Sequence, residues 1–327
     1  MSFEYDLYVE ETHSFWEVME NCIIEESLDE IAMRGTTKII VTKDFPGISP
    51  GQRARIVGKA FQKETKVSLI HPAVVWECDS QNNGIKHLDV TIYDATIYLA
   101  KSEDEYWFPA GQTADQRLRK YAADWGIPLS NVPNTGIKLD KAIYRSQTIY
   151  SMIRNDLVET VKKGGKMYRP RMTPQGLELF EIGSNKEVWE LEANLNIDQL
   201  RTLEGVITQV KVLGSADDEK KSPVLAVVTG ETGKFGTLQK VLRDDKIKNP
   251  GQATAAAKPL LSKTFTETFS VTSIDVNTIR AGDKTILNGI ELIVTSVRHE
   301  LGTPGQMILQ LASMDQVKRR YFYDESL

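Results

Sequence analysis

Two stretches far apart in this chain read alike. Ile48-Ser49-Pro50-Gly51-Gln52-Arg53-Ala54-Arg55-Ile56-Val57-Gly58 and Ile279-Arg280-Ala281-Gly282-Asp283-Lys284-Thr285-Ile286-Leu287-Asn288-Gly289 each give a turn, a glycine, a strand and a second glycine. The agreement extends beyond them. Val74 to Cys78 and Leu88 to Tyr93 follow the first copy as two strands, and Ile293 to Val297 and Met307 to Leu311 follow the second. Upstream, Trp16 to Glu26 and Thr37 to Thr42 correspond in order to Gly205 to Val212 and Val224 to Val228. Order, turn type and strand count agree, so the sequence predicts one duplicated β unit. Small antiparallel β-barrels are the economical way to bury one face of so many short strands. Duplication also has a symmetry consequence, because three chains with two equivalent units each make a ring of six.

Between the two copies the pattern changes. Thr113-Ala114-Asp115-Gln116 has the spacing of a capping box, followed at helical intervals by Leu118, Tyr121, Ala122 and Trp125. Ser146 is placed to cap a second helix, with Ile149, Met152, Ile153, Leu157 and Val161 on one stripe before Gly164-Gly165. Lys166 to Arg169 and Leu177 to Glu181 then read as a hairpin around Thr173-Pro174-Gln175-Gly176. The predicted organisation is therefore a first β-barrel over 1–110, an α+β middle module over 111–200, and a second β-barrel over 201–327. A helical insertion around 234–263 interrupts the last. Gly51, Gly58, Gly282 and Gly289 are the candidate structural turn residues.

The 327 residues exceed one small module, and 41% hydrophobic with 26% charged residues is a globular balance. Lys and Arg number 40 against 45 Asp and Glu, a formal charge of -5, so there is no overall positive field to recruit nucleic acid. Cys22 and Cys78 are too few for a disulfide framework. The acidic start (Glu4, Asp6, Glu10, Glu11) lacks a signal-peptide pattern, and no apolar run approaches the ~20 residues of a membrane span. The charged run Asp217 to Lys221 reads as a solvated loop tip.

Catalytic patterns are sparse. His71, Cys78 and His87 fall in the first barrel, but their spacing fits no zinc motif. In Gly230-Glu231-Thr232-Gly233-Lys234 the glycine spacing is wrong for a phosphate loop, and Phe235 stands where a Ser or Thr would hold magnesium. Candidate carboxylate pairs are plentiful and uninformative, and no nucleophile elbow or zinc helix stands out. Tyr106-Trp107-Phe108 reads as barrel-edge packing, with an aromatic sugar platform as the rival. The expectation is no catalytic residue, no metal and no cofactor.

Phe235 to Val241, the helix over Gln252 to Lys263, Ile279 to Asp283 and Val294 to His299 resemble the hub proteins of contractile phage tails. The nearest branch is that of PBSX-type prophages and phage-tail-like bacteriocins, with late-control D proteins more distant. The resemblance implies a structural baseplate hub, a homotrimer whose duplicated tube-type barrels form a pseudo-sixfold collar. Its implied partners are a hexameric tail tube protein, a trimeric spike protein and other baseplate proteins. It would be made in the bacterial cytoplasm and assembled into a virion tail or bacteriocin baseplate. Some relatives carry a lysozyme or peptidase domain, for which the three modules leave no room here. A cell-wall hydrolase and a glycan-binding tail module are the alternative readings.

Overall fold

The computed structural model of the chain describes residues 5–63, 65–192, 194–215, 221–244 and 247–323. The residues Asp217 to Lys220 of the expected loop tip lie outside these. By internal packing the chain divides into two units, Met1–Ile197 with Ser270–Ala312, and Asp198–Phe269 with Ser313–Leu327.

Ten strands form two comparable sets. The first comprises β1 (Met19–Ser27), β2 (Arg34–Ile40), β3 (Arg53–Lys59), β4 (Lys66–Asn82) and β5 (Lys86–Asp94). The second comprises β6 (Asn194–Thr202), β7 (Thr266–Ile274), β8 (Lys284–Leu287), β9 (Ile290–Glu300) and β10 (Gln306–Ala312). Alternation of apolar and polar residues makes them strands with one buried face. In β5 Leu88, Val90 and Ile92 are buried with Asp89 and Thr91 between them, and in β10 Met307, Leu309 and Leu311 are buried with half-buried Ile308 and exposed Gln310 between them. The spatial order is β1-β2-β5-β4-β3 in the first set and β6-β7-β10-β9-β8 in the second. The two sets have one topology.

The registers agree as well. Arg53 stands opposite Val74, and Lys284 opposite Ile293. Val75 pairs with Ile92 and Glu77 with Thr91, leaving Trp76 as an extra residue. Val294 pairs with Leu311 and Ser296 with Gln310, leaving Thr295 as the extra residue. A bulge placed at the same step of both sets bends and re-aims the strand locally in the same way.

These strands do not form barrels. The described residues give one open sheet of thirteen strands, and its two ends, β6 and the short strand His13–Ser14, are not paired with each other. Neither set closes on itself. β1, the strand that would have to close the first set, instead pairs antiparallel with β9, Ser27 opposite Ser296 and Ile23 opposite Glu300. Alternation and turn residues are the same in an open and a closed sheet. Closure depends on pairing between strands distant in sequence, which neither signal reports. The fold is mixed, β-rich α+β.

A second correction concerns the upstream strands of the repeat. Gln209–Leu213 and Val224–Thr229 belong to a separate three-stranded sheet, in which Gln209–Leu213 lies between Val224–Thr229 (antiparallel) and Gln239–Arg243 (parallel). The places matching β1 and β2 are taken by β6 and β7. Gln239–Arg243 also puts a strand inside the expected helical insertion, whose main helix is confined to Pro250–Ala257. That helix starts where Asn249 Oδ1 accepts the Gln252 N–H at 2.9 Å, and it packs Ala253 and Ala257 against Val210 and Val212.

The helices of the middle segment run over Ala114–Asp124 and Ile149–Lys162. Gln116 Oε1 accepts the Thr113 N–H at 3.0 Å at the start of the first. The second is capped by Thr148 rather than Ser146: Thr148 Oγ1 accepts the Ser151 N–H at 3.2 Å, while Ser146 lies in the strand Ala142–Thr148. A buried Arg117–Asp156 pair at 2.6 Å links the helices, and the Tyr144 hydroxyl donates to the same carboxylate at 2.7 Å. The hairpin is Tyr168–Thr173 with Gly176–Glu181. No helix among the described residues is long and apolar enough to cross a membrane.

Candidate functional site

The repeated glycines mark the most informative local geometry. In the first copy Gly51 N–H donates to Val75 O at 2.8 Å, and Val75 N–H donates to Gln52 O at 2.8 Å. Gln52 N–H closes the turn on Ser49 O at 3.4 Å, and Ser49 N–H returns to Gln52 Oε1 at 2.8 Å. The second copy repeats every bond. Gly282 N–H donates to Val294 O at 2.7 Å, Val294 N–H to Asp283 O at 2.9 Å, and Asp283 N–H to Arg280 O at 3.1 Å. Arg280 N–H then returns to Asp283 Oδ2 at 2.9 Å. Gly51 and Gly282 have φ of 91° and 90°, the left-handed region that glycine enters without penalty.

The other two glycines differ. Gly289 lies with Asn288 in the tight turn between β8 and β9. Gly58 is within β3, where a Cβ would fall 2.3 Å from the Tyr5 ring, so the residue is there for close packing.

Around the second turn, side chains build a buried charge cluster. Glu26, on the core face of β1 with Cys22 and Ile24, accepts from Arg280 Nη2 at 2.7 Å, Arg280 Nε at 3.1 Å and Ala281 N–H at 3.1 Å. Arg169 on the hairpin stands 3.3 Å from the same carboxylate and donates to Ala281 O at 2.8 Å. Arg171 donates to Asp283 at 3.0 Å, pairs with Glu178 and lies 3.5 Å from the Phe180 ring centre. Arg280 Nη1 reaches Met172 O at 2.7 Å. Burial alone would raise the Glu26 pKa, but the guanidiniums of Arg280 and Arg169 outweigh it and hold the carboxyl down to about 2. The turn and the hairpin are thereby held together by charge-assisted hydrogen bonds.

A cavity of about 310 Å³ borders the cluster, lined by Glu26, Asp94, Arg171, Arg280 and His299 among others. Burial pushes Asp94 up to about 6, partly offset by hydrogen bonds from Thr96 and Met33. Two carboxylates with separated pKa values are what acid–base chemistry requires. Here, however, Asp94 receives the Met33 N–H at 2.9 Å, the Thr96 N–H at 2.8 Å and the Thr96 hydroxyl, while Glu26 is occupied by its arginines. The bonds direct both groups to holding the fold. His299 Nδ1 meets Asp275 at 2.6 Å and Nε2 meets Ile279 O at 2.9 Å, tying β9 to the loop before β8.

The remaining candidates are dispersed. Among the described residues no group of three His, Cys, Asp or Glu is arranged to hold a metal, and His87 instead faces Glu20 at 3.4 Å. Gly230 to Lys234 leads into the one-turn helix Thr232–Phe235. Tyr106 and Phe108 meet Tyr121 edge-to-face, at 4.8 and 5.4 Å between ring centres, while Trp107 is 60% exposed beside Ile143, its cross-strand partner. The charge cluster was not anticipated. Its signal was Glu26 at a core-facing phase of an alternating strand, where a lone carboxylate demands buried cations.

A sequence profile described as YQBQ-like matches residues 60–311. The chain is 29% identical over 166 residues to YqbQ of Bacillus subtilis (strain 168), covering 50% of each chain. It is 31% identical over 156 residues to the phage-like element PBSX protein XkdQ of the same organism, covering 46% of this chain and 47% of that one. The chain thus matches about half the length of these curated relatives. Among solved structures, the 43 kDa tail protein of prophage MuSo2 from Shewanella oneidensis aligns with a TM-score of 0.74 at 11% identity, over 96% of this chain and 99% of that one. That likeness is one of fold.

Proposed function

This chain belongs to the YQBQ-like family of phage tail and baseplate proteins, and from that membership we propose that it is the structural hub of a contractile injection particle. Three chains would form a ring in which the two strand sets alternate, giving six similar positions around a threefold axis. Such a ring meets a hexameric tail tube on one face and a trimeric spike on the other, and other baseplate proteins bind its periphery. It is made in the bacterial cytoplasm and assembled into the baseplate of a tail or bacteriocin particle. The observation that carries this reading is the shared topology, register and bulge of the two sets. A chain with one such unit offers three positions to a threefold ring, and a chain with two offers six.

The test is to tag the chain and image assembled particles. The hub reading expects label at one end of the tube, beside the spike, and no complete particles when the gene is deleted. Label along the sheath, or normal particles without the chain, would end it. Exposed Trp107 favours a second reading as a glycan contact. Under that reading Trp107→Ala abolishes binding to cell-wall glycans and leaves assembly intact.

A further inference from the structure

The three-stranded sheet of the second unit has one packed face and one open face. On the packed face Val210 and Val212 of the central strand Gln209–Leu213 are fully buried, with Ala253 and Ala257 of the helix in the same core. On the open face the pairing sets Val227 and Val241 on either side of Lys211. One step along, Val224 and Arg243 flank Leu213 in the same way. The third row, around Gln209, is uncharged. Val224, Val227 and Val241 are 48%, 50% and 46% exposed. One exposed valine needs no explanation, whereas several on one flat sheet face mark an interaction surface.

The centre of this face says what covers it. Lys211 is half-buried between the two valines, and among the described residues no carboxylate pairs with it. None of the three rows contains an Asp or Glu. A partner that covers Val227 and Val241 therefore also takes the ammonium out of water, and a buried charge is kept only when an opposite charge meets it. We propose that the open face docks a protein surface in which a carboxylate stands among apolar side chains. The carboxylate meets Lys211, the apolar groups cover the valines, and Arg243 lies at the rim. The rows hold no aromatic ring on which bases could stack, which sets single-stranded nucleic acid aside. The inference takes from the baseplate reading only that the partner is found in the particle.

The test uses the full-length chain, free and in purified particles. Carbodiimide coupling joins an amine only to a carboxylate in contact with it, and mass spectrometry is expected to find Lys211 joined to an Asp or Glu of another particle protein. Lysine acetylation should label Lys211 about tenfold less in particles than in the free chain. Val227→Asp with Val241→Asp should leave the free chain's unfolding midpoint unchanged and lower its incorporation about tenfold or more, and Lys211→Glu should act in the same direction. If the chain stands at the baseplate but Lys211 labels equally in both states and the Asp variants assemble normally, the docking surface is overturned while the hub reading stands. If the chain lies elsewhere in the particle with Lys211 coupled to another protein, the hub reading falls and the docking surface stands. Coupling of Lys211 only to peptides of this chain gives the face to a second copy. Binding of the free chain to phosphatidylserine vesicles, abolished by Lys211→Glu, gives it to a lipid surface. Either of these two results overturns the proposal.

Discussion

The turns Ser49 to Gln52 and Arg280 to Asp283 share a backbone and differ in side chains. Both route the chain into the following strand with the same four hydrogen bonds and a left-handed glycine. The first is closed by neutral Gln52 and has nothing within 4 Å of where a Gly51 Cβ would stand. The second is closed by Asp283, which also binds Arg171, and Arg280 beside it binds Glu26. The comparison teaches that the backbone turn is the duplicated element, and that charge was added where the turn also holds the hairpin.

The largest expected effect lies at the charge cluster. Glu26→Ala leaves Arg169 and Arg280 without their carboxylate and should cost about 3–5 kcal/mol, whereas Ser49→Ala in the first turn should cost a small fraction of that. Urea unfolding measures both. With its pKa held near 2 against an ordinary 4.5, Glu26 contributes stability that is full above pH 4.5 and is lost as pH falls toward 2. Glu26→Gln should flatten the acid limb of stability in that window. An unchanged limb would mean that the second turn carries no more charge energy than the first.

A smaller contrast comes from the matched glycines. Gly51→Ala should cost about 1–2 kcal/mol from the left-handed backbone alone. Gly282→Ala has the same backbone cost and also sets a Cβ 2.9 Å from Arg169 Cδ, adding about 1–3 kcal/mol of overpacking. Equal losses would contradict the packed role of the second turn. The smallest contrast is between the closing side chains. Gln52→Ala should cost about 0.5–1.5 kcal/mol, and Asp283→Asn, which keeps an acceptor but removes the charge facing Arg171, about 1–3 kcal/mol.

Much of this was legible in the sequence. The repeated segments and the bordering strands could be read from alternation and glycine placement, because these signals are local. The middle helices followed from the Thr113 start and the Ile149 to Val161 stripe. What escaped was non-local: an open sheet, the pairing of β1 with β9, and the assignment of β6 and β7 to the second set. Asn194 to Thr202 buries no apolar face: its side chains from Leu195 to Arg201 are exposed, so hydrophobic pattern gave little reason to choose it over Gly205 to Val212. The charge cluster joins residues more than a hundred positions apart, and no spacing rule links Glu26 to Arg169 and Arg280.

An electron cryomicroscopy map of the assembled particle bears most directly on the duplication. It should show three chains around the axis, with the first and second strand sets alternating at one radius to give six similar densities under the tube. Six chains in that ring, or three chains whose two sets lie at different radii, would contradict it.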